Sequence, residues 1–575
     1  MSHQIILQDR YKQLNLDQDK ILLPEETVMR FKDKSRAAGL NILDKTTRID
    51  NGRLDIPVFF SVCGHDAAQL TGTKKQMGKG ATPSQAEASA VMELAERYSF
   101  FSFYNRSENF ITDTYQNVKD RALDFDMIAR SVHDASDDLA VSRKIFEQIP
   151  LKWTRGYNLT RQAEVLIPFD WFYTINEFNG ASAGNCTEEA LSQGICEIVE
   201  RHVSSIISRE KLGVPALETA SATDPFVLDM LAKYKKAGIT LYISDFTLDM
   251  GIPTVGILAY DTLTFPGKSE LVWTAGTTPD PQKALSRALS ETAQLAGDFN
   301  TGSNYVASGL PKFNNLAEAE YIINSDKSID LRKLPNLSHE NIKIELENCL
   351  SALAARDMQV LTVNTIHPFL KVPAFYSIIP GAHFRERSLG SSVGMFTARL
   401  VTENYPPRMA MAELKKMQAK LSGKYYIYFY MGTSCLALND PETALQYLAA
   451  ALDFEPTDQD LPSIYSYMGV CLKDMERFRE AIDVLQKGVL YDRDRTDLHN
   501  LMGFCHFKLK EHEKAIESFQ NVLRIDPGSA IDYANIASNY RDMGKVPDAI
   551  RYYELALEID PSIEFARDNL RKLKG

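Results

Sequence analysis

Three segments of this chain carry acidic, polar and basic residues at helical spacing. In the first segment, Ser89, Glu93, Glu96 and Arg97 lie at i, i+4, i+7 and i+8. A helix places these four side chains on one face. A single charged stripe of this kind is typical of a solvated surface, so its recurrence in the chain is the informative feature.

The three segments align without gaps. Their central glutamates are Glu93, Glu197 and Glu291, and each follows an alanine by seven positions. Three residues further on, the aligned positions hold Glu96, Glu200 and Gln294. An arginine accompanies each segment: Arg97, Arg201 and Arg287. Each predicted helix therefore presents a polar stripe with glutamate at its centre.

If the stripes converge, several carboxylates face one volume, and like charges need cations between them. Oxygen ligands without cysteine or histidine favour Mg²⁺ over zinc. Mg²⁺ ions held by carboxylates are typical of sites for nucleotides and other polyphosphates. The arginines would then bind phosphate, and Lys79 is a further candidate. If the stripes instead face separate regions of solvent, they form no common site.

The elements around these helices predict an α/β or α+β domain, because helices and strands alternate along the chain. We expect one strand near residues 56–62 and a second near residues 69–73, before the first helix. A small, polar loop from Asn179 to Asn185 precedes the second helix, and Glu188 and Glu189 are interpreted as charges at that helix's N-terminus.

The C-terminal part follows a different pattern. Small residues recur at Gly432, Gly469, Gly503 and Ala537, with spacings of 37, 34 and 34. Alanines follow each of them by 12 residues: Ala444, Ala481, Ala515 and Ala549. This is the period of tetratricopeptide repeats, which stack into an all-α solenoid and bind peptides or proteins.

The composition argues against nucleic-acid-binding, disulfide-rich and membrane-spanning classes of protein. The 575 residues are 44% hydrophobic and 24% charged, as in ordinary globular proteins, and the net charge of −12 argues against nucleic acid as a partner. Seven cysteines without a CxxC pair favour a reducing, cytoplasmic location rather than a disulfide framework. We expect no membrane-spanning segment, because no apolar run reaches the required length. The predicted organisation is an N-terminal extension (1–34), the α/β domain (35–405), a linker helix (406–424) and about four repeats (425–575).

Several motifs together resemble the YcaO family. They are TTRIDNGRLDIPVFF, SAVMELAER (Ser89 to Arg97), NGASAGNCTEEALSQGICEIVERH (Asn179 to His202) and RALSETAQ (Arg287 to Gln294). The resemblance covers roughly residues 35 to 400, outside the repeats. It implies an ATP-binding fold unrelated to kinases and P-loop enzymes.

The resemblance also implies an activity: ATP phosphorylates the oxygen of a peptide backbone amide after a nucleophile attacks the carbonyl, and phosphate then leaves. The nucleophile is a Cys, Ser or Thr side chain, giving an azoline, or an external sulfide, giving a thioamide. The implied Mg²⁺-ATP acids are Glu93, Glu96, Glu197, Glu200 and Glu291. The implied nucleotide or phosphate contacts are Ser89, Arg97, Arg201, Arg287 and Gln294, with Lys79, Asn179, Ser182 and Asn185 nearby. The catalytic residue itself stays unassigned.

Members of the family that form azolines tend to end in a proline-rich tail, whereas this chain ends in DNLRKLKG after the repeats. A fused domain that recruits a leader peptide is not evident either. We therefore expect a stand-alone member whose repeats dock a protein partner. The runner-up reaction within the family is thioamidation or another amide modification of a larger protein, with a separate sulfur-delivering partner. The resemblance also implies a homodimer.

Two other classes compete with this interpretation. The first domain could be a degenerate nucleotide sensor in a scaffold that acts through its repeats, but the complete set of central glutamates and arginines argues against decay. A metal-dependent phosphoesterase needs His or Asp ligands and a water-activating base. Only ten histidines occur in the chain, and only His202 adjoins a motif.

Overall fold

The computed structural model describes residues 4–13, 20–72, 75–300, 309–384 and 391–575. The chain divides into two compact units. The first comprises residues 1–134 and 150–391, and the second comprises residues 135–149 and 392–575. The second unit therefore includes two segments that precede the predicted linker helix (406–424), namely residues 135–149 and residues 392–405.

The first unit contains helices and strands in alternation, as predicted. Its helices are α1 (Pro24–Ala37), α2 (His65–Thr71), α3 (Pro83–Tyr104), α4 (Tyr115–Val118), α5 (Phe125–Arg130), α7 (Phe169–Asn176), α8 (Thr187–Glu210), α9 (Pro225–Lys236), α10 (Pro281–Ala296), α11 (Glu320–Ile323) and α12 (Ile342–Ala354). Its strands are β1 (Leu43–Arg48), β2 (Val58–Cys63), β3 (Lys75–Lys79), β4 (Ile111–Thr114), β5 (Pro150–Asn158), β6 (Ala163–Pro168), β7 (Ala181–Ala183), β8 (Ala216–Glu218), β9 (Ile239–Asp245), β10 (Thr254–Asp261), β11 (Val272–Thr277), β12 (Ser328–Asp330), β13 (Leu361–Asn364) and β14 (Ala374–Ile378).

These strands form three sheets within the described part of the chain. Their strand orders are β1-β2-β3, β11-β10-β9-β8-β12 and β4-β5-β13-β14-β7, with β6 paired to β5. The strand expected near residues 69–73 is wrong: residues 65–71 are helical, and residue 73 lies outside the described residues. The strand that follows β2 in this sheet is β3, which pairs antiparallel with β2 from Lys75 to Lys79.

Each helix that carries a polar stripe packs on a different sheet. Helix α3 covers β2 and β3, helix α8 covers β14 and β7, and helix α10 covers β10 and β11. The alanine that begins each aligned segment is fully buried at 0% exposure: Ala86, Ala190 and Ala284. A buried small residue at this position lets the helix backbone approach the strand beneath it.

Glycines make these approaches close. A Cβ atom on Gly78 of β3 would lie 2.0 Å from the Ala90 nitrogen of α3. A Cβ atom on Gly276 of β11 would lie 2.5 Å from the Ala288 nitrogen of α10. Because both positions tolerate no side chain, the glycines fix the depth of the helices over their strands.

The N-terminal residues belong to the same unit. The Glu188 carboxylate accepts a hydrogen bond from the Gln8 nitrogen (2.7 Å), and Glu189 accepts one from the Ile21 nitrogen (2.6 Å). Helix α1 packs its Phe31 against Leu94 of α3 in one apolar cluster. Glu188 and Glu189 thus hold the N-terminal segment at the first turn of α8.

The second unit is helical throughout its described elements. They are α6 (Leu139–Phe146), α13 (Val393–Asn404), α14 (Pro407–Lys420), α15 (Tyr425–Ala437), α16 (Pro441–Leu452), α17 (Leu461–Asp474), α18 (Phe478–Tyr491), α19 (Thr496–Lys508), α20 (His512–Ile525), α21 (Ala530–Asp542), α22 (Val546–Ile559) and α23 (Glu564–Lys574). From α15 to α22 consecutive helices pack in pairs, two per repeat, and the alanines at 444, 481, 515 and 549 are all fully buried. The fold class, an α/β domain followed by an all-α repeat region, is confirmed.

Candidate functional site

The three stripe-bearing helices are arranged around one another. Besides its own sheet, α3 touches β7, α8 touches β11, and α10 touches β3. Each helix thus contacts a strand from the next sheet in a closed cycle. This arrangement brings the polar stripes of separate chain segments together.

Ion pairs within two of the helices set the local geometry. On α3, the Arg97 guanidinium lies 3.6 Å from Glu93 and 3.3 Å from Glu96. On α8, Arg201 lies 3.6 Å from Glu197. Each arginine stands one turn or less from its glutamates, so these pairs follow from helical spacing.

Other contacts join different elements. Arg287 of α10 lies 3.4 Å from Glu200 of α8, and Lys79 of β3 forms an ion pair with Glu291 of α10. Backbone donors complete the set. The Thr277 nitrogen at the end of β11 donates to Glu200 (3.1 Å), and the Gly180 nitrogen donates to Glu197 (3.1 Å). The predicted acids and cations therefore form one cluster.

The pKa values in the cluster show charges withdrawn from water. Burial raises the pKa of Glu93, and Arg97 and Lys79 offset only part of that effect. Burial, together with the negative charges of Glu197 and Glu93, raises the pKa of Glu96 well above its usual range. Burial and the nearby Arg287 lower the pKa of Lys79 to about 7. Burial thus favours the neutral forms of Glu93, Glu96 and Lys79 more than water does.

The cluster fits a Mg²⁺-nucleotide. Among the described residues, no three His, Cys, Asp or Glu side chains share the geometry of one metal site, since the glutamates pair with cations instead. Two buried donors make no hydrogen bond to any described residue: Nη1 of Arg97, which lies 3.3 Å from Glu96 in an ion pair, and Nε of Arg201. Phosphate oxygens would satisfy these donors, and Mg²⁺ would take the carboxylates that phosphate displaces from the arginines.

Five predicted site residues lie at the margin of the cluster or beyond it. Ser89 and Gln294 are half-buried on α3 and α10, one turn from Glu93 and Glu291 respectively. The Asn179 amide donates to the Asn176 carbonyl (2.8 Å).

Ser182 and Asn185 contact other parts of the unit. Ser182 is 1% exposed. Its hydroxyl packs against Gly194 of α8, so closely that a Cβ atom on that glycine would lie only 2.7 Å from it. The Asn185 amide donates to the Thr27 hydroxyl of α1 (3.0 Å). The Asn185 backbone nitrogen donates to the Glu189 carboxylate at the start of α8 (2.9 Å). These hydrogen bonds join Asn185 to α1 and to the first turn of α8, not to the five glutamates of the cluster.

Sequence reasoning missed several contributors. The Phe178 ring stacks 3.9 Å from the Arg97 guanidinium. With its amide oriented to satisfy both groups, Gln193 accepts from Nη1 of Arg287 at 3.0 Å. Gln193 lies four residues before Glu197, at the position that Ser89 and Arg287 hold before Glu93 and Glu291, and this alignment is the sequence signal for it. Thr277 acts through its backbone, so its side-chain type carried no signal.

Comparison with known proteins points to one family for the first unit. The family model described as YcaO cyclodehydratase, ATP- and Mg²⁺-binding, matches residues 77–383, which is just over half of the chain. Two tetratricopeptide-repeat models match residues 435–505 and 494–562. No helix in the described ranges has the length and apolar character needed to cross a membrane.

The chain is similar to three curated relatives. An uncharacterized protein of Methanothermobacter thermautotrophicus is 27% identical over 378 residues, which are 62% of this chain and 93% of that protein. An uncharacterized protein encoded in the tfuA 3′ region of Rhizobium leguminosarum is 24% identical, over 63% of this chain and 88% of that protein. The ribosomal protein S12 methylthiotransferase accessory factor YcaO of Escherichia coli is 27% identical, over 38% of this chain and 40% of that protein.

Among solved structures, a heterocyclase in complex with substrate and cofactor is similar, with a TM-score of 0.55 and 21% identity. The match covers 68% of this chain and 56% of that chain. At this identity the similarity concerns the fold alone.

Proposed function

The chain belongs to the YcaO family, whose members bind ATP and Mg²⁺, and we propose that it uses them to activate a peptide backbone amide for post-translational modification. ATP and Mg²⁺ are its cofactors. The proposal assigns the ATP to the cluster of glutamates and arginines on α3, α8 and α10. It assigns the docking of a protein partner to the repeats.

The observation that carries this proposal is the convergence of five glutamates and four cations from three helices and one strand. The glutamates are Glu93, Glu96, Glu197, Glu200 and Glu291, and the cations are Lys79, Arg97, Arg201 and Arg287. Arg97 and Arg201 pair with glutamates of their own helices, whereas Arg287 and Lys79 pair with glutamates of other chain segments. Such mutual pairing keeps both sets ordered and ready to exchange partners for metal ions and phosphates.

When bound, ATP supplies the phosphoryl group that makes the amide oxygen a good leaving group. The chain's own residues provide position and charge. Arg97, Arg201 and Arg287 bind phosphate oxygens, while the glutamates hold Mg²⁺. Lys79 gains a proton more readily beside a phosphate, because the added negative charge raises its pKa from about 7. The transferred charge is thereby neutralised at fixed positions, which is the main source of rate in phosphoryl transfer.

The expected target is a protein rather than a short peptide, since the chain carries its own repeat region. Repeat helices supply a solenoid surface that binds a protein or peptide. Thioamidation of that protein, with sulfide delivered by a separate protein as the nucleophile, is one candidate reaction. Azoline formation from a Cys, Ser or Thr side chain is the alternative within the family.

The test compares two conservative variants on one helix. Glu93→Gln removes a charge from the cluster, whereas Glu87→Gln removes one from a carboxylate that accepts from the Thr46 hydroxyl (2.8 Å). We expect Glu93→Gln to abolish Mg²⁺-dependent ATP turnover with an unchanged circular dichroism spectrum, and Glu87→Gln to retain it. Turnover is measured with purified protein, alone and with cell extract, followed by mass spectrometry of modified proteins.

The outcomes distinguish an ATP-dependent enzyme from a nucleotide-binding scaffold. Normal ATP binding and hydrolysis by Glu93→Gln contradicts the site assignment. ATP binding without turnover under every condition, in the wild-type protein, supports a nucleotide-binding scaffold instead of an enzyme.

A further inference from the structure

Three cations of the first unit lie together where α1 meets the turn between β13 and β14. They are Arg30 and Lys34 of α1 and Lys371 of the turn, and we call them the basic patch. Arg30 and Lys34 are four residues apart, so they share one face of the helix. The Nζ atom of Lys34 donates to the Lys371 carbonyl, and Nη1 of Arg30 donates to the Asn185 carbonyl (3.3 Å). The patch is thus one surface built from separate chain segments.

The positive charges of the basic patch have no neutralising partner within the described ranges. Arg30 and Lys34 donate to backbone carbonyls, and no described carboxylate forms an ion pair with them or with Lys371. Burial, with Arg30 and Lys371 nearby, lowers the pKa of Lys34, so the cations repel one another. By contrast, Arg36 of the same helix pairs with Asp33 at 3.2 Å. Because the whole chain carries a net charge of −12, this local excess of cations steers an acidic partner to one place.

The turn that carries Lys371 is held in place by its own contacts. The His367 carbonyl accepts from the Lys371 nitrogen (2.9 Å), and the His367 ring accepts from the Leu370 nitrogen (3.2 Å). Leu370 is fully buried in one apolar cluster with Phe31 of α1. Between these anchors, the Phe369 side chain is 68% exposed. A large apolar side chain on an ordered turn loses little entropy on binding, which favours its use as a contact residue.

The chemistry of the patch distinguishes among anionic partners. Backbone nitrogens typically bind a phosphate ion, but those of Phe369, Leu370 and Lys371 already donate to His367. Nucleic acid needs an extended stripe of cations, whereas this chain is acidic as a whole. The carboxylates of a peptide can pair with separate cations, and an apolar side chain between them can cover Phe369. An acidic peptide segment therefore fits every part of the patch.

We propose that the basic patch docks an acidic segment of a separate protein, with carboxylates paired to Arg30, Lys34 and Lys371 and an apolar side chain against Phe369. The patch is then a second protein-contact surface, on the first unit rather than on the repeats. This inference goes beyond the proposed function and does not depend on the nucleotide cluster.

The test measures binding of a fluorescein-labelled peptide, glutamates around one central leucine, to the full chain by fluorescence anisotropy. We expect Arg30→Gln and Lys371→Gln each to weaken binding about two- to fivefold, as for the loss of one exposed ion pair. The matched controls are Arg36→Gln and Lys32→Gln. They remove the same kinds of charge from the opposite face of α1 and should leave binding unchanged.

Salt and altered peptides test the chemistry of the contact. Raising the salt concentration from about 50 to 200 mM should weaken binding, because the screening length shortens. A peptide with glutamine in place of every glutamate should bind about tenfold more weakly. Phe369→Ala should weaken binding of the leucine peptide but not of one with glycine at its centre. Equal binding of the acidic and neutral peptides, or equal effects of Lys371→Gln and Lys32→Gln, overturns the proposal.

Other occupants are outcomes of the same experiment. If a single-stranded deoxythymidine oligonucleotide binds more tightly than the acidic peptide, and Lys371→Gln releases it, the patch binds nucleic acid and the proposal is wrong. A dimer in sedimentation that Lys371→Gln dissociates places a second copy on the patch and also overturns it. The thermal unfolding midpoint of Lys371→Gln should equal that of wild type, because the lost charge has no described partner. A lowered midpoint gives that charge a structural role and contradicts the proposal.

Nucleotide binding separates this inference from the proposed function. Lys371→Gln should bind and turn over Mg²⁺-ATP as wild type does, and Glu93→Gln should bind the peptide as wild type does. If Lys371→Gln loses Mg²⁺-ATP binding, the patch belongs to the nucleotide site and the inference is wrong. If Glu93→Gln keeps normal ATP binding and hydrolysis while the peptide results hold, the proposed function fails and the inference stands.

Discussion

The position of α3 over β3 is predicted to control nucleotide affinity. In Gly78→Ala, the new Cβ atom would lie 2.0 Å from the Ala90 nitrogen and 2.4 Å from the Ala86 carbonyl oxygen. Both neighbours are backbone atoms of a 22-residue helix, so no flexible side chain can move aside. Ordinary contact at 3.4 Å requires a separation larger by 1.4 Å.

Such a shift moves the α3 acids relative to those on α8 and α10. Misplacement by about 1 Å costs roughly 100-fold where geometry must be met, so we expect Mg²⁺-ATP affinity to fall by at least about tenfold. The clash of the new methyl group with α3 should also lower the free energy of unfolding of the first unit by about 1–3 kcal/mol. All three tryptophans, Trp153, Trp171 and Trp273, lie in the first unit and are buried, so their fluorescence reports its unfolding.

The assay pairs titration calorimetry of Mg²⁺-ATP with urea unfolding followed by fluorescence. Gly213→Ala is the matched control, because its new Cβ atom would meet only the Tyr321 carbonyl oxygen at 3.7 Å. We expect that control to behave as wild type. Wild-type affinity in Gly78→Ala, with its fold intact, would refute the reasoning that this glycine sets the position of the α3 acids.

Two further predictions concern stability. Burial, with Arg106 beside the ring, lowers the pKa of His367 to about 4. The unfolded chain, with its pKa near 6.5, therefore binds more protons between about pH 4 and 6.5, and the first unit should lose up to about 3 kcal/mol as pH falls through that window. His367→Gln should flatten this part of the tryptophan-monitored profile, and an unchanged slope would contradict the assignment. In the repeats, a Cβ atom on Gly503 would lie 2.7 Å from the Phe519 ring, so Gly503→Ala should lower the stability of the second unit by about 1–3 kcal/mol. Circular dichroism at 222 nm should detect that loss while tryptophan fluorescence stays as in wild type; coincident shifts of both signals would argue against it.

Local spacing carried the features that the sequence predicts well. The i, i+4, i+7 stripes around Glu93 and Glu197, and the repeat period of 34 residues, depend only on helix geometry and on small residues at crossings. Burial of the three aligned alanines follows from the same pattern. The ion pairs of Arg97 with Glu93 and Glu96 on α3 are likewise local, since they join residues at helical spacing.

Packing between distant segments decided the features that local spacing does not predict. Strand β3 has the sequence KQMGK, without a β-branched residue, and it is a strand because it pairs with β2. The pairing of Lys79 with Glu291 spans 212 positions, and it exists only because β3 lies beside α10. The basic patch joins Lys34 to Lys371, 337 positions away, and it exists only because Leu370 packs in the apolar cluster of α1. Residue types and spacing determine which charges each helix presents, whereas strand pairing and glycine contacts determine that those charges share one site.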